Sequence, residues 1–165
     1  MKELLNMRKF QPIKFFAAII VSFMAGIIGS IPTLNSVNTW YSTLNKPFFN
    51  PPNWVFAPVW NILYLLMGVA FYIILISKPK EKEAKDDAVK FFLLQLLLNA
   101  IWSIIFFGLR LPLVAFFEIV FLWFILSVTI RKFIRISSFA AVLLIPYFLW
   151  VTFAMMLNAA IVLLN

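Results

Sequence analysis

Residues 58–77 of the chain read PVWNILYLLMGVAFYIILIS, twenty consecutive residues without a charged side chain. An α-helix rises about 1.5 Å per residue, so a run of this length covers the roughly 30 Å of hydrocarbon in a bilayer. The run therefore predicts a helix that crosses a membrane. Four other runs have a similar composition, and the five predicted helices span about residues 14–34, 58–77, 91–109, 113–130 and 138–164.

The composition of the whole chain agrees with this prediction. Of its 165 residues, 64% are hydrophobic and 12% are charged, and the mean hydropathy is +1.01. A soluble domain is nearer half apolar and needs charge for its surface. No stretch outside the five runs is long enough to fold alone. We therefore predict an all-α integral membrane bundle of five transmembrane helices, forming one domain over residues 1–165.

The chain contains no cysteine and no histidine. Disulfides, thiolate nucleophiles and cysteine-ligated metals are therefore excluded, together with the commonest metal ligand and general base. We predict no metal site and no required cofactor. The net charge of +8 does not indicate nucleic-acid binding, because the basic residues lie between apolar runs and not along one amphipathic face.

Positive charge is unevenly distributed between the two sides of the predicted bundle. Twelve lysine and arginine residues fall in the N-terminal tail and in the loops after the second and fourth helices, whereas Lys46 and Arg110 fall on the other side. Positive loops mark the cytoplasmic side. We expect a cytoplasmic N-terminus and an external C-terminus, in a membrane of the bacterial inner-membrane type. The first run is too long for a signal peptide and has no A-x-A site after it.

The loop between the first two predicted helices is rich in aromatic residues and proline. Such a loop is stiff and largely apolar. This composition favours a lid that folds onto the bundle over a solvated linker, and the alternative is an aromatic belt at headgroup depth. The residues concerned are Trp40, Tyr41, Pro47, Phe48, Phe49, Pro51, Pro52, Trp54 and Phe56.

Three predicted helices each place a tryptophan and an amide on one face, because residues three, four, seven or eight apart share a helix face. Such amides commonly do no more than bridge neighbouring helices. Three faces together favour a shared internal cavity, since ligand cavities are mostly apolar with a few placed polar groups. The faces comprise Trp60, Asn61, Tyr64 and Gly68; Gln95, Asn99, Trp102 and Ser103; and Tyr147, Trp150, Ala154 and Asn158.

The first predicted helix carries small residues at four-residue spacing, namely Ala18, Ser22, Gly26 and Ser30. Small residues let helices approach closely, so this stripe predicts a packing seam. The spacing is equally compatible with packing inside one chain and with a dimer.

Glu118 is the only acidic residue within the five predicted spans. A charge at such a position costs roughly 2.5–3.5 kcal/mol on insertion scales. We expect Glu118 to be protonated or paired with a cation such as Arg110. No second ionisable group lies in line with it, which argues against a proton-coupled pump.

The run from Trp40 to Tyr64, WYSTLNKPFFNPPNWVFAPVWNILY, resembles the signature of the TspO/MBR family. This family comprises the tryptophan-rich sensory proteins related to the mitochondrial translocator protein. Residues 95–108 and 146–158 are similar to the third and fifth helices of the family, so the resemblance spans nearly the whole chain. It implies a five-helix bundle, often a homodimer, with a pocket beneath the first loop.

The resemblance also implies a function. Members bind tetrapyrroles such as protoporphyrin IX and haem, benzodiazepine-type drugs and, in animals, cholesterol, so a membrane receptor or carrier for such ligands is expected. Trp60 and Trp150 match tryptophans implicated in light-dependent porphyrin breakdown, so a porphyrin-degrading enzyme and a small-molecule transporter are the alternatives. The pocket residues implied by matching motifs are Tyr41, Pro51, Phe56, Trp60, Asn99, Trp102, Trp150 and Ala154.

Two departures limit these expectations. Animal members carry a tyrosine and then an arginine after the Leu-Asn of the fifth helix. Here Leu157 and Asn158 are followed by Ala-Ala-Ile and by no basic residue. The resemblance therefore does not support cholesterol binding. Without histidine or cysteine, axial ligation of haem iron would fall to tyrosine or methionine.

Overall fold

A computed structural model of the chain describes residues 10–79 and 82–165. Within these residues the chain forms helices and connecting turns and no strand. Five helical stretches are long and apolar enough to cross a membrane, which confirms the predicted all-α bundle. The charged residues Lys2, Arg8, Lys9 and Lys80 lie outside the described residues. The elements are α1 (Pro12–Ser36), α2 (Trp40–Thr43), α3 (Asn53–Ile76), α4 (Lys82–Ser103), a π-helical turn (Ile104–Gly108), α5 (Pro112–Ile134), α6 (Ser138–Val142) and α7 (Ile145–Leu164).

Several helices extend beyond the predicted bounds. The second span starts at Asn53 and not at Pro58, which lies inside α3. Proline within a membrane helix is tolerated because neighbouring groups can satisfy the backbone that it frees. α4 starts at Lys82, nine residues before the predicted 91, because the polar residues at its start continue the helix. α5 includes Arg131 and Lys132 in its last turn, where cations interact favourably with the helix dipole.

The fifth predicted helix, 138–164, is broken into α6 and α7. The break follows from Pro146, whose ring would clash with the carbonyl of the residue four positions earlier and which has no N–H to donate. That earlier residue is Val142, the last residue of α6. The helix restarts at Ile145 with Pro146 in its first turn, a position that proline favours.

The half of the bundle opposite the α1–α3 loop is densely packed. Met67, Ala70 and Ile74 of α3 are fully buried. The Phe71 and Phe92 rings stack with centroids 4.3 Å apart and an interplanar angle of 14°. Packing at this density leaves little room for a ligand, so the open space of the bundle lies nearer the loop.

The small-residue stripe of α1 packs within the chain. Ala18 and Ser22 are buried. A Cβ atom added to Gly68 would lie 2.9 Å from the Cα atom of Ile19, and one added to Gly26 would meet the ring of Tyr64. From Ala18 to Gly26 the seam predicted from sequence is therefore an α1–α3 contact inside one molecule, whereas Ser30 at the end of the stripe is exposed.

Candidate functional site

A cavity of about 420 Å³ lies at the loop end of the bundle. The second half of α1, the first half of α3, the end of α4 with the π-helical turn, and α7 form its walls. Tyr41 of α2 contributes from the loop. A volume of this size falls within the range of small-molecule sites, which are mostly apolar clefts with a few polar groups.

Seven of the eight residues that the resemblance assigned to a pocket line this cavity. The exception is Pro51, which lies in the turn before α3 and whose carbonyl accepts a hydrogen bond from Asn50 Nδ2 at 2.9 Å. Pro51 does not line the cavity, and its assignment to the pocket stays a prediction. The seven that the structure brings together are Tyr41, Phe56, Trp60, Asn99, Trp102, Trp150 and Ala154. Their role in ligand binding stays a prediction.

Aromatic rings form one wall of the cavity. Trp60 stacks on Tyr64 with centroids 5.5 Å apart and an interplanar angle of 24°. The Trp150 ring stands at 90° to Trp60 at 6.5 Å, and Phe56 meets Trp150 at 6.0 Å. These rings present both faces and edges to the space, which suits a flat aromatic guest.

The predicted amides do bridge helices. Tyr64 Oη donates a hydrogen bond of 2.6 Å to Asn99 Oδ1, and Asn99 Nδ2 donates to Tyr147 Oη at 3.2 Å. Trp102 Nε1 donates to Asn158 Oδ1 at 3.2 Å. The bridging interpretation is therefore right for these contacts, although Asn99 and Asn158 also line the cavity.

Two buried polar atoms at or near this site have no partner among the described residues. One is Nε1 of Trp150, which lines the cavity, and the other is Oε1 of Gln95. Gln95 does not line the cavity and makes a 3.9 Å contact with Met67 Sδ. Trp150 thus carries a buried indole donor without a partner at a position that borders the cavity.

The α1–α3 loop is partly a lid and partly exposed. Tyr41 is buried against Phe107 at 5.5 Å, and its hydroxyl donates to Asn50 Oδ1 at 2.8 Å. Burial raises the pKa of Tyr41 to about 12, so the phenol is a neutral donor at physiological pH. In contrast, 99% of Phe48 and 74% of Trp54 are exposed, as an aromatic belt would require. Tyr41 thus has the burial that the lid interpretation predicts, and Phe48 and Trp54 have the exposure that the belt interpretation predicts.

Glu118 and Arg110 do not form the predicted ion pair. Both carboxylate oxygens of Glu118 are buried without a hydrogen-bond partner within 10–79 and 82–165. Pairing of Glu118 with Arg110 was therefore wrong, because Arg110 adopts a positive φ of 57° in the turn before α5 and is exposed. Lys46 Nζ lies 4.6 Å from the centre of the Tyr41 ring.

The π-helical turn was not predicted, although it shapes the cavity. Leu109 N donates to Ile104 O at 2.8 Å across five residues. The extra residue in this turn places Phe106 against Trp102, with centroids 5.4 Å apart and an angle of 26°. The sequence contains no signal for such a turn. Phe106 and Phe107 both line the cavity and were missed as site residues.

The fold and site define a class of protein: a small α-helical membrane protein with five spans and a ligand-sized aromatic cavity covered by the first loop. Residues 17–164 match the TspO/MBR family. The chain therefore belongs to the TspO/MBR family, which confirms the resemblance drawn from the sequence.

Three relatives show how far the similarity extends. The chain is 44% identical over 154 residues to the tryptophan-rich protein TspO of Archaeoglobus fulgidus, covering 93% of this chain and 97% of that protein. It is 43% identical over 140 residues to the tryptophan-rich protein TspO of Chlorobaculum tepidum, covering 85% and 88%. It is 33% identical over 150 residues to the tryptophan-rich sensory protein of Cereibacter sphaeroides, covering 90% and 92%. The similarity thus includes all five spans.

Proposed function

We propose that this protein is a membrane receptor or carrier that binds tetrapyrroles, such as protoporphyrin IX and haem, and other flat lipophilic ligands. The proposal rests mainly on the aromatic wall formed by Trp60, Tyr64 and Trp150. Stacking of a planar π-system on such rings contributes about 1–3 kcal/mol per contact. A porphyrin offers a large planar face for these contacts.

The polar groups of the cavity support the same proposal. Trp150 borders the cavity, and its buried Nε1 has no partner within residues 10–79 and 82–165. Asn99 lines the cavity between two phenols. A few donors in an apolar site orient a ligand without requiring a charged residue. The ligand therefore needs a flat apolar body with a small number of acceptors.

Substitution of the wall tests the proposal. In the dark, we expect saturable binding of protoporphyrin IX to the detergent-purified protein, measured from the porphyrin absorbance. Trp60→Phe and Trp150→Phe should each weaken affinity by about two- to tenfold, because a smaller ring retains part of the stacking. Trp54→Phe is the matched control, since Trp54 is exposed and does not line the cavity. Non-saturable uptake, equal in all four proteins, would mean that porphyrin partitions into the micelle.

A second candidate function is light-dependent oxidation of bound porphyrin by dioxygen. It is favoured by the position of two indoles, Trp60 and Trp150, against each other in the cavity with Tyr147 6.1 Å from Trp60. Such rings are suited to one-electron chemistry. Illumination of the saturated complex should then yield products that the Trp60→Phe, Trp150→Phe double variant forms more slowly. Equal product yields at equal occupancy would reject a role for the indoles.

Orientation and assembly are part of the proposal. We place the N-terminus in the cytoplasm and the C-terminus outside, in a bacterial-type inner membrane, because the basic residues cluster at the end opposite the α1–α3 loop. A homodimer would use a face other than the small-residue seam, since that seam is occupied by α3. If ligand crosses the bilayer, flux into sealed proteoliposomes must exceed flux into protein-free vesicles.

A further inference from the structure

α1 changes its packing partner along its length. Its first half lies against α3, where Ile19 approaches Gly68. Its second half is held to α4: Ser103 Oγ donates to Gly29 O at 2.5 Å, and the hydroxyls of Thr33 and Ser103 lie 2.8 Å apart. Ser36 Oγ also donates a 2.6 Å hydrogen bond to a carbonyl of the π-helical turn. α1 and α3 are therefore in close contact in one half of the bundle and flank the cavity in the other.

The cavity opens sideways between these two helices. Two rows of residues line it and are also exposed at the protein surface, one row on α1 and one on α3. The spacing of three or four within each row places its members on one helix face. The rows consist of Ile27, Ser30 and Leu34, and of Asn53, Ala57 and Asn61. Both lie within segments long and apolar enough to cross a membrane, so the opening faces lipid.

Asn61 is the polar side chain deepest in this opening. It lies eight residues after the start of α3, about 12 Å along the helix axis. Its side chain is exposed and makes no hydrogen bond within the part of the chain that the structure describes. Next to it on the surface are Ile62 and Leu65, both exposed and apolar. An unsatisfied amide in hydrocarbon costs several kcal/mol, so Asn61 requires a partner from outside the protein.

The opposite rim supplies no such partner among the described residues, because no hydrogen bond joins Asn61 to Ser30. Ser30 Oγ donates its proton to Ile27 O of its own helix at 2.8 Å. The remaining α1 rim residues, Ile27 and Leu34, are aliphatic. A molecule that fills the cavity and projects a hydrogen-bond acceptor into the opening would satisfy Asn61.

We propose that Asn61 is a specificity-determining residue, which donates through Nδ2 to a carboxyl group of an amphiphile whose apolar body enters the cavity from the lipid between α1 and α3. For a tetrapyrrole this group is a propionate, and in that respect the inference rests on the proposed function. The ring system lies against Trp60 and Trp150, and the propionate edge lies at the opening.

A comparison of two porphyrins distinguishes the proposed hydrogen bond of Asn61 from porphyrin binding in general. Protoporphyrin IX carries two propionates, whereas etioporphyrin carries alkyl groups alone. Asn61→Leu should weaken the binding of protoporphyrin IX about fivefold, as expected for one lost hydrogen bond, and leave the affinity for etioporphyrin within about twofold. The matched control is Asn61→Leu, Leu65→Asn, which moves the amide one turn away from the cavity and keeps the composition of α3. It should behave like Asn61→Leu.

The outcomes are distinguishable. Saturable binding of protoporphyrin IX with the same affinity in the wild type and in Asn61→Leu would overturn the role of Asn61 and leave the proposed function standing. An equal loss for both porphyrins would also overturn it, because the variant would then have changed the cavity itself. Absence of saturable binding of either porphyrin would overturn the proposed function together with the assigned ligand.

The opening is tested without any ligand. The chain has no cysteine, so single cysteines can be spin-labelled cleanly. In lipid vesicles, a label at Ala57→Cys should collide with oxygen as often as one at Leu65→Cys and be shielded from a water-soluble nickel chelate. Asp86→Cys provides the aqueous reference, since Asp86 is exposed near the start of α4. Chelate access at Ala57→Cys equal to that at Asp86→Cys would reject an opening to the lipid.

Discussion

Gly68→Leu is expected to destabilise the bundle by about 2–3 kcal/mol, the upper part of the range for overpacked cores. A Cβ atom at Gly68 would lie 2.9 Å from Ile19 Cα and 3.4 Å from Ala18 O. These are backbone atoms, so no side-chain rotation relieves the clash, and α1 and α3 must move apart. The free energy of unfolding in detergent, obtained from denaturant titration, measures the effect.

Gly108→Ala is the matched control for this prediction. Its added Cβ atom would lie 3.2 Å from a side-chain atom of Pro32. Among the described residues outside its own helical turn, no backbone atom lies within 4 Å of that Cβ. We expect a change within about 0.5 kcal/mol. If Gly68→Leu abolishes folding, Gly68→Ala should still lower the free energy of unfolding, by a smaller amount, because of the same clash with the α1 backbone. Wild-type stability in both Gly68 variants would mean that α1 and α3 do not pack along this seam.

Asn99→Leu is expected to cost about 2 kcal/mol or more of unfolding free energy. The Asn99 side chain accepts from Tyr64 Oη at 2.6 Å and donates to Tyr147 Oη at 3.2 Å. Leucine has a similar volume but leaves both phenol hydroxyls buried without this partner, and each unpaired hydroxyl costs about 1–3 kcal/mol. Thermal and denaturant unfolding in the same detergent would measure the loss.

Removal of the orphaned hydroxyls should restore most of that stability. The triple variant Asn99→Leu, Tyr64→Phe, Tyr147→Phe replaces the whole network by apolar groups, which is often nearly neutral. Asn38→Leu is a control for loss of an amide at an exposed position of the loop. A triple variant as unstable as Asn99→Leu would show that the loss arises from side-chain packing and not from unpaired hydroxyls.

The five spans could be predicted because length and hydropathy determine them, whereas their bounds depend on tertiary contacts. Two prolines illustrate the difference. Pro58 lies within α3, which continues through it, but Pro146 follows a break between two helices. Both have the same local chemistry. The neighbouring residues therefore do not decide whether a helix continues through a proline or ends before it.

The sequence predicted the parts of the candidate site that follow from helix periodicity. It did not predict the parts that follow from contacts between residues distant in sequence. Trp60, Asn99 and Trp150 follow from periodicity, and the structure places all three on one cavity. Pro51 was included because it belongs to the loop motif, and it is not among the residues that line the cavity. The opening between α1 and α3 depends on the hydrogen bond from Ser103 to Gly29 O, a contact between residues 74 positions apart.

Because of the π-helical turn that follows α4, the shape of the cavity depends on the number of residues in this part of the chain. A turn that holds one residue more than an α-helical turn can be returned to α-helical geometry by deleting a single residue. Deletion of Ile105 would leave Phe106 three residues after Trp102 instead of four, and the turn would lose its extra residue. Phe106 and Phe107 would then leave the positions that they occupy beside Trp102. The number of residues between Asn99 and Gly108 therefore constrains the cavity as strongly as their identities, and the family should tolerate substitutions there more readily than insertions or deletions.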